Sequence, residues 1–187
     1  MKPALNRFFF CICFLAVSCS ANADTNQTPY LYVLGVIQDA GYPQAGCLAP
    51  HCLPGWQDVR KRRGAVSLGL IDPEAKKKFM FEATPNFPGQ YYDLQVEAPD
   101  AQFDFGGVFL THAHIGHYTG LMFLGHEVMG ASNVPVYAMP RMTGFLQKNG
   151  PWSQLITFKN IALQPLQDNL AVNLGSVKVT PFLVPHR

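Results

Sequence analysis

"FGGVFLTHAHIGHYTGL", residues 105–121, sets an apolar run directly before three histidines, His112, His114 and His117. "GVFLT" reads as a strand. On an extended backbone residues i and i+2 face the same way, so His112 and His114 present their imidazoles to one point. His117 falls at the turn entering the next element, where the chain curls back toward that point. A loop following a buried strand is also where layered α/β sheets carry their sites. Three of the six histidines thus stand within six positions of one junction, which favours a metal site over surface or capping histidines. Two imidazoles and a third from elsewhere would leave a tetrahedral zinc one position for water, whose pKa falls to about 7.

Working outward, strand and helix patterns interleave. "YLYVLGVIQ" (30–38) alternates and is rich in β-branched and aromatic residues, "AVSLGLID" (65–72) runs to a turn at Asp72-Pro73, and "KFMFEA" (78–83) is its hairpin partner. "TPNFPGQ" breaks regular structure and "YYDLQVEA" opens a short helix. After the histidines, "YTGLMFLGHEVMG" has helical apolar spacing at Leu121, Leu124 and Val128. "VPVYAM" is a strand, "RMTGFLQKN" a helix and "NIALQPL" a strand. "LAVNLGSVKVTPFLVPHR" is a Gly-turned hairpin whose second strand ends at His186. Antiparallel pairs at the start and βα units in the middle indicate an α/β layered sheet, not an all-β barrel.

At 187 residues, with 48% hydrophobic and 14% charged, the chain can build a packed core. Residues 1–23 have the marks of a signal peptide: Lys2 and Arg7, an apolar "FFFCICFLAVSC" too short to span a bilayer well, and "Ala21-Asn22-Ala23" as a cleavage site. Residues 24–187 are then the domain, exported to the periplasm or secreted and not inserted in the membrane once cleaved. A lipoprotein anchored through Cys19 is the lesser alternative, because Ala16 fits a lipobox poorly. Lys2 and Arg7 are two of the 14 basic residues, so the remainder balances the 12 acidic ones. A neutral domain has no electrostatic footprint for nucleic acid, which points to a small-molecule substrate. "RKRRG" (60–64) reads as a solvated turn before a strand.

Only Cys47 and Cys52 follow the signal region, in "GCLAPHC" with His51 between them. A short-loop disulfide suits an oxidising compartment, and a structural zinc on both thiolates and His51 is the alternative. His126, beside Glu127, reads as a solvated histidine. His186 at the end of "VTPFLV" is open between a terminal histidine and a metal ligand at a strand end.

"FLTHAHIGHYTGL" resembles the signature of the metallo-β-lactamase superfamily, H-x-H-x-D-H before a Gly-Leu helix start. "YVLGVIQDAGYPQAGC", with "ATPNFPGQ" further on, resembles the branch that contains the pyrroloquinoline-quinone biosynthesis protein B. The resemblance runs from about Tyr30 to Arg187. It implies an αββα sandwich with metal at the edge between two sheets, His112, His114 and His186 on a first zinc, and His117 on a second. Gly116 stands where the motif has an aspartate that binds the second metal and orients the attacking water, so one zinc is expected rather than two. Asp39 and Glu82, in loops after strands, are the candidates for the general base. Members of the superfamily continue beyond this strand, so the chain is expected to hold the N-terminal part of the fold only.

The expected function is that of an exported zinc hydrolase, with a zinc-bound hydroxide attacking an ester, lactam, thioester or phosphodiester. The alternatives are a non-catalytic or cofactor-biosynthesis accessory protein that binds metal, and an inactive fragment.

Overall fold

The computed structural model describes residues 28–38 and 40–186. The proposed signal peptide and Asp39 lie outside the described residues. Six strands lie side by side in sequence order: β1 (Tyr30–Gly35), β2 (Ser67–Asp72), β3 (Lys77–Phe81), β4 (Asp104–Phe109), β5 (Val134–Ala138) and β6 (Ile161–Pro165). The first three pair antiparallel and β3 to β6 pair parallel. Residues 36–66 form a long connection that still leaves β1 and β2 antiparallel, and from β2 onward the length of the connection sets the direction. The short turn after Asp72 can only reverse the chain, whereas the later connections are long enough to carry it back across the sheet.

α1 (Leu53–Gln57) lies in the connection between β1 and β2, and α2 (Phe87–Glu97) in that between β3 and β4. α3 (Pro140–Lys148) and α4 (Trp152–Thr157) join β5 to β6. A two-stranded hairpin, β7 (Val172–Asn173) with β8 (Lys178–Val179), follows.

Alternation along the strands gives the sheet two apolar faces. Met80, Val108 and Val136 pack with Leu94, Leu121 and Leu146 in the main core on the helix side. Leu70, Phe79 and Phe109 form a second cluster with Leu174 and, at its margin, Val172 and Val179 of the hairpin. In that cluster Phe109 stacks on Phe81 at 5.0 Å and on Tyr137 at 4.2 Å between ring centroids. A helix layer, the six-stranded sheet and a β-element on its far face make up the expected α/β layering.

Lys78 and Asp72 are among the polar groups buried within this frame. Lys78 is fully buried, its Nζ donating to Gln95 Oε1 at 2.8 Å and to the Ala98 carbonyl, with Asp100 at 2.6 Å. Asp72 accepts from the Ala75 N–H within its own turn and from both the N–H and the hydroxyl of Ser176. Gly175 sits beside it at φ +121, and a Cβ there would meet Ala75 Cβ at 2.4 Å.

The elements depart from expectation in several places. α2 starts at Phe87, inside the stretch read as a breaker. Pro88 belongs in a first helical turn, where its missing N–H costs nothing, and Phe87 itself is a core residue. The segment after the histidines is a 3-10 helix, Thr119–Leu124, rather than a long α-helix. There the Gly120 N–H is committed to the Ala83 carbonyl at 2.8 Å, and a Cβ on Gly120 would lie 2.2 Å from the Thr84 carbonyl oxygen. Neither α1 nor α4 was anticipated. Finally, the last strand stops at Val179, not His186. Pro181 has no N–H for a ladder, and residues 180–186 are instead held by Asn169 N–H to the Pro181 carbonyl and Leu183 N–H to Asp168 Oδ1.

Candidate metal centre

The sheet holds the chain up to Leu110, whose N–H donates to the Tyr137 carbonyl at 2.9 Å, and then releases it. Residues 111–114 are irregular, and a 3-10 turn, Ile115–His117, follows. Three backbone bonds fix this loop. The His117 N–H closes the turn on the His114 carbonyl, the His117 carbonyl accepts from Ala83 N–H at 2.9 Å, and Gly120 N–H returns to the Ala83 carbonyl. The Thr119 hydroxyl adds a bond to the Ile115 carbonyl. The histidine loop is therefore clamped to the residues that follow β3.

His186 arrives from the other direction, along the segment after β8. Its ring centroid lies 4.6 Å from that of His112 and 4.8 Å from that of His114, and the rings of His112 and His114 are 4.6 Å apart. One ligand atom from each of the three lies within 4.8 Å of the others. His114 and His186 are exposed and His112 is half-buried, so the cluster opens to solvent.

A second group stands behind it. Glu82, His112 and His117 also bring one ligand atom each within 4.8 Å of the others. Glu82 and His117 are both buried. Glu82 sits at φ +74, a left-handed backbone conformation uncommon for a residue with a side chain, which places its carboxylate under the loop. The Glu82 N–H bonds the Phe109 carbonyl at 2.8 Å. Its Oε1 accepts from the Thr111 hydroxyl, and its Oε2 lies 3.5 Å from His117 Nδ1. Burial pushes the carboxyl pKa up to about 7, against the lowering effect of the Thr111 hydrogen bonds. Thr111 Oγ1 is in turn 2.8 Å from His112 Nδ1.

Three imidazoles converging at an open edge, with a carboxylate behind, are a donor set suited to a borderline divalent cation. The structure thus brings together His112, His114, His117, His186 and Glu82. His126 is exposed and belongs to neither donor group. Cys47 and Cys52 are joined as a disulfide, with His51 Nε2 3.8 Å from Cys47 Sγ. Thr111 was missed by sequence reasoning. Its place becomes visible only through the parallel register that sets Phe81 beside Phe109, which carries Glu82 to the start of the loop.

Residues 77–187 match the family described as the beta-lactamase superfamily domain, which spans β3 to His186 and includes the whole donor cluster. The chain belongs to the beta-lactamase superfamily. Within this superfamily it is similar to the coenzyme PQQ synthesis protein B of Xanthomonas oryzae pv. oryzae (strain MAFF 311018), with 26% identity over 160 residues, 83% of this chain and 52% of that protein. The chain spans about half the length of the curated relatives it matches. Among solved structures, Zn2+-bound PqqB from Methylobacterium extorquens superposes with a TM-score of 0.67 at 21% identity, over 83% of this chain and 56% of that one. A diphosphatase from the PhnP family superposes with a TM-score of 0.59 at 22% identity, over 80% and 55%. The metallo-beta-lactamase fold protein YhfI from Bacillus subtilis superposes with a TM-score of 0.50 at 13% identity, over 82% and 52%, in keeping with the fold expected from "HAHIGH".

Proposed function

We propose that the chain is the metal-binding part of a hydrolase, with one zinc ion held by His112, His114 and His186. The observation that carries this reading is the convergence of three imidazoles from two segments some 70 residues apart onto one solvent-facing point. When bound, zinc supplies Lewis acidity, lowering the pKa of a water and polarising an acyl or phosphoryl oxygen. The residues of the chain do the rest. His114 and His186 flank the open side, where a substrate approaches. Glu82 and Thr111 hold His112 from behind, and His117 fills the buried space beside it. The carboxylate of Glu82 faces Thr111 and His117, which suits it to holding the loop. The substrate class is an ester, lactam, thioester or phosphodiester.

A second reading is an accessory role in the biosynthesis of a quinone cofactor. It draws on the similarity to coenzyme PQQ synthesis protein B. It draws also on Gly116, which gives the motif no carboxylate with which to orient an attacking water.

Metal content and turnover of ester and phosphodiester reporters, measured on the chain with and without added zinc and on His114→Ala, separate the two. Zinc-dependent turnover that His114→Ala abolishes supports the hydrolase. Stoichiometric zinc without turnover supports the accessory role, and a chain that takes up no zinc overturns both. Export through residues 1–23 is part of the proposal, and cell fractionation with N-terminal sequencing tests it.

A further inference from the structure

His112 belongs to both donor groups, so what its two ring nitrogens do decides which group can hold an ion. We infer that Thr111 is a positioning residue that fixes the tautomer of His112, leaving Nε2 as its metal-binding nitrogen, with Glu82 anchoring the Thr111 hydroxyl. The inference rests on the zinc reading above and names the residues that orient its central ligand.

A hydroxyl has one proton to give and two lone pairs. The Thr111 hydroxyl gives its proton to Glu82 Oε1. Its remaining contact, His112 Nδ1 at 2.8 Å, must then be one in which Thr111 accepts. Nδ1 therefore carries the ring hydrogen and Nε2 the lone pair, and a neutral imidazole binds a metal only through the nitrogen that lacks hydrogen. This is the arrangement in which a carboxylate orients a metal-binding histidine, here with a hydroxyl interposed.

Two features hold the relay in place. Glu82 is buried at φ +74 with its own N–H bonded to the Phe109 carbonyl, so its carboxylate is fixed relative to the end of β4. Thr111 immediately precedes His112, so its hydroxyl and the ring are joined by a short stretch of backbone. A consequence follows for ion count. With Nδ1 protonated, His112 offers a single lone pair and cannot serve both groups. On the zinc reading that one lone pair is shared with His114 and His186, and Glu82 is then a supporting group rather than a ligand.

The test uses the metal-free chain labelled with 15N-histidine. Long-range 1H–15N correlation spectra are recorded at about pH 8, where histidine is ordinarily neutral. His112 is assigned by the signal missing from His112→Gln. The expected wild-type spectrum has His112 as the Nδ1–H tautomer. Thr111→Val should release it to a mixture and weaken Co2+ binding by about 10- to 100-fold, while Thr111→Ser restores both. An Nε2–H tautomer in the wild type overturns the inference, as does a Thr111→Val spectrum in which His112 is unchanged. The wild-type spectrum decides the matter even if Thr111→Val folds poorly. Because the tautomer is read without metal, an Nδ1–H His112 in a chain that binds no zinc upholds the positioning role and sinks only the proposed function.

Discussion

Asp72 and Ser176 stand 104 residues apart and are joined twice: the Ser176 N–H reaches Asp72 Oδ2 at 2.8 Å and the Ser176 hydroxyl reaches Oδ1 at 2.8 Å. Asp72 ends β2 in the central sheet, and Ser176 lies in the turn of the hairpin from which the chain runs on to His186. The pair therefore ties one arm of the metal centre to the sheet that carries the other.

Asp72→Ala removes the charged acceptor of the Ala75 and Ser176 N–H groups, and hydrogen bonds to a charged group contribute about 1.5–3 kcal/mol. A loss of about 2–3 kcal/mol is expected in urea unfolding, together with weaker metal binding through His186. The pH dependence has a definite sign. Burial alone would raise the Asp72 pKa, but hydrogen bonds from Ala75 and Ser176 hold it below its ordinary value of 3.8. A depressed pKa contributes stability above the unfolded value that is lost as pH falls through the folded one. Wild-type stability should thus drop below about pH 4, and Asp72→Asn should flatten that limb. An unchanged acid limb in Asp72→Asn would remove Asp72 from the account.

Lys78 and Asp100 give an asymmetric expectation. Lys78 is buried with 0% side-chain exposure, whereas Asp100 is 59% exposed. Asp100→Asn leaves a buried cation without its counter-charge, a change that costs about 3 kcal/mol. Lys78→Met leaves only a solvated carboxylate and places an apolar chain in an apolar layer. Urea denaturation should find Asp100→Asn the less stable of the two, and the reverse order would show that the ion pair does not govern this corner.

Gly120→Ala probes the clamp beneath the histidine loop. The added methyl would sit 2.2 Å from the Thr84 carbonyl oxygen and 2.7 Å from Phe87 Cβ, and neither belongs to a flexible side-chain end. Overpacking of this kind costs about 1–3 kcal/mol, or a fall in Tm of roughly 2–12 °C at this chain length. An unaltered Tm would mean that the loop can shift without loss.

Gly116→Asp places a carboxylate within the histidine turn. Metal analysis should then rise from about one zinc per chain toward two, because a second ion needs a carboxylate that wild-type Gly116 cannot supply. No change in metal content would show that position 116 is not simply a vacant ligand position.

Much of the site was legible in the sequence because its signals are local. The i, i+2 spacing of His112 and His114 pointed to a shared target, and their rings do lie 4.6 Å apart, although both stand on irregular backbone after β4 and not on a strand. Glu82 was legible only as a carboxylate in a loop after a strand. Its bond to Thr111 depends on which strands are neighbours and in what register, and neither is written in either segment alone. The start of α2 was misplaced because Pro85 and Pro88 were read as breakers, although a proline in the first turn is compatible with a helix. The long helix expected after His117 gave way because tertiary bonds to Ala83 outweighed apolar spacing. The resemblance grouped His186 with His112 and His114, and its ring lies 4.6 Å and 4.8 Å from theirs, but on irregular backbone rather than at a strand end, since Pro181 ends the ladder before it.

Zinc content of the purified chain after dialysis, compared among wild type, His114→Ala and His186→Ala, bears most directly on the converging imidazoles. About one tightly held ion in the wild type, lost in both variants, is the expected result for a three-imidazole site. Equal zinc in all three chains would mean that residues 112, 114 and 186 do not share an ion.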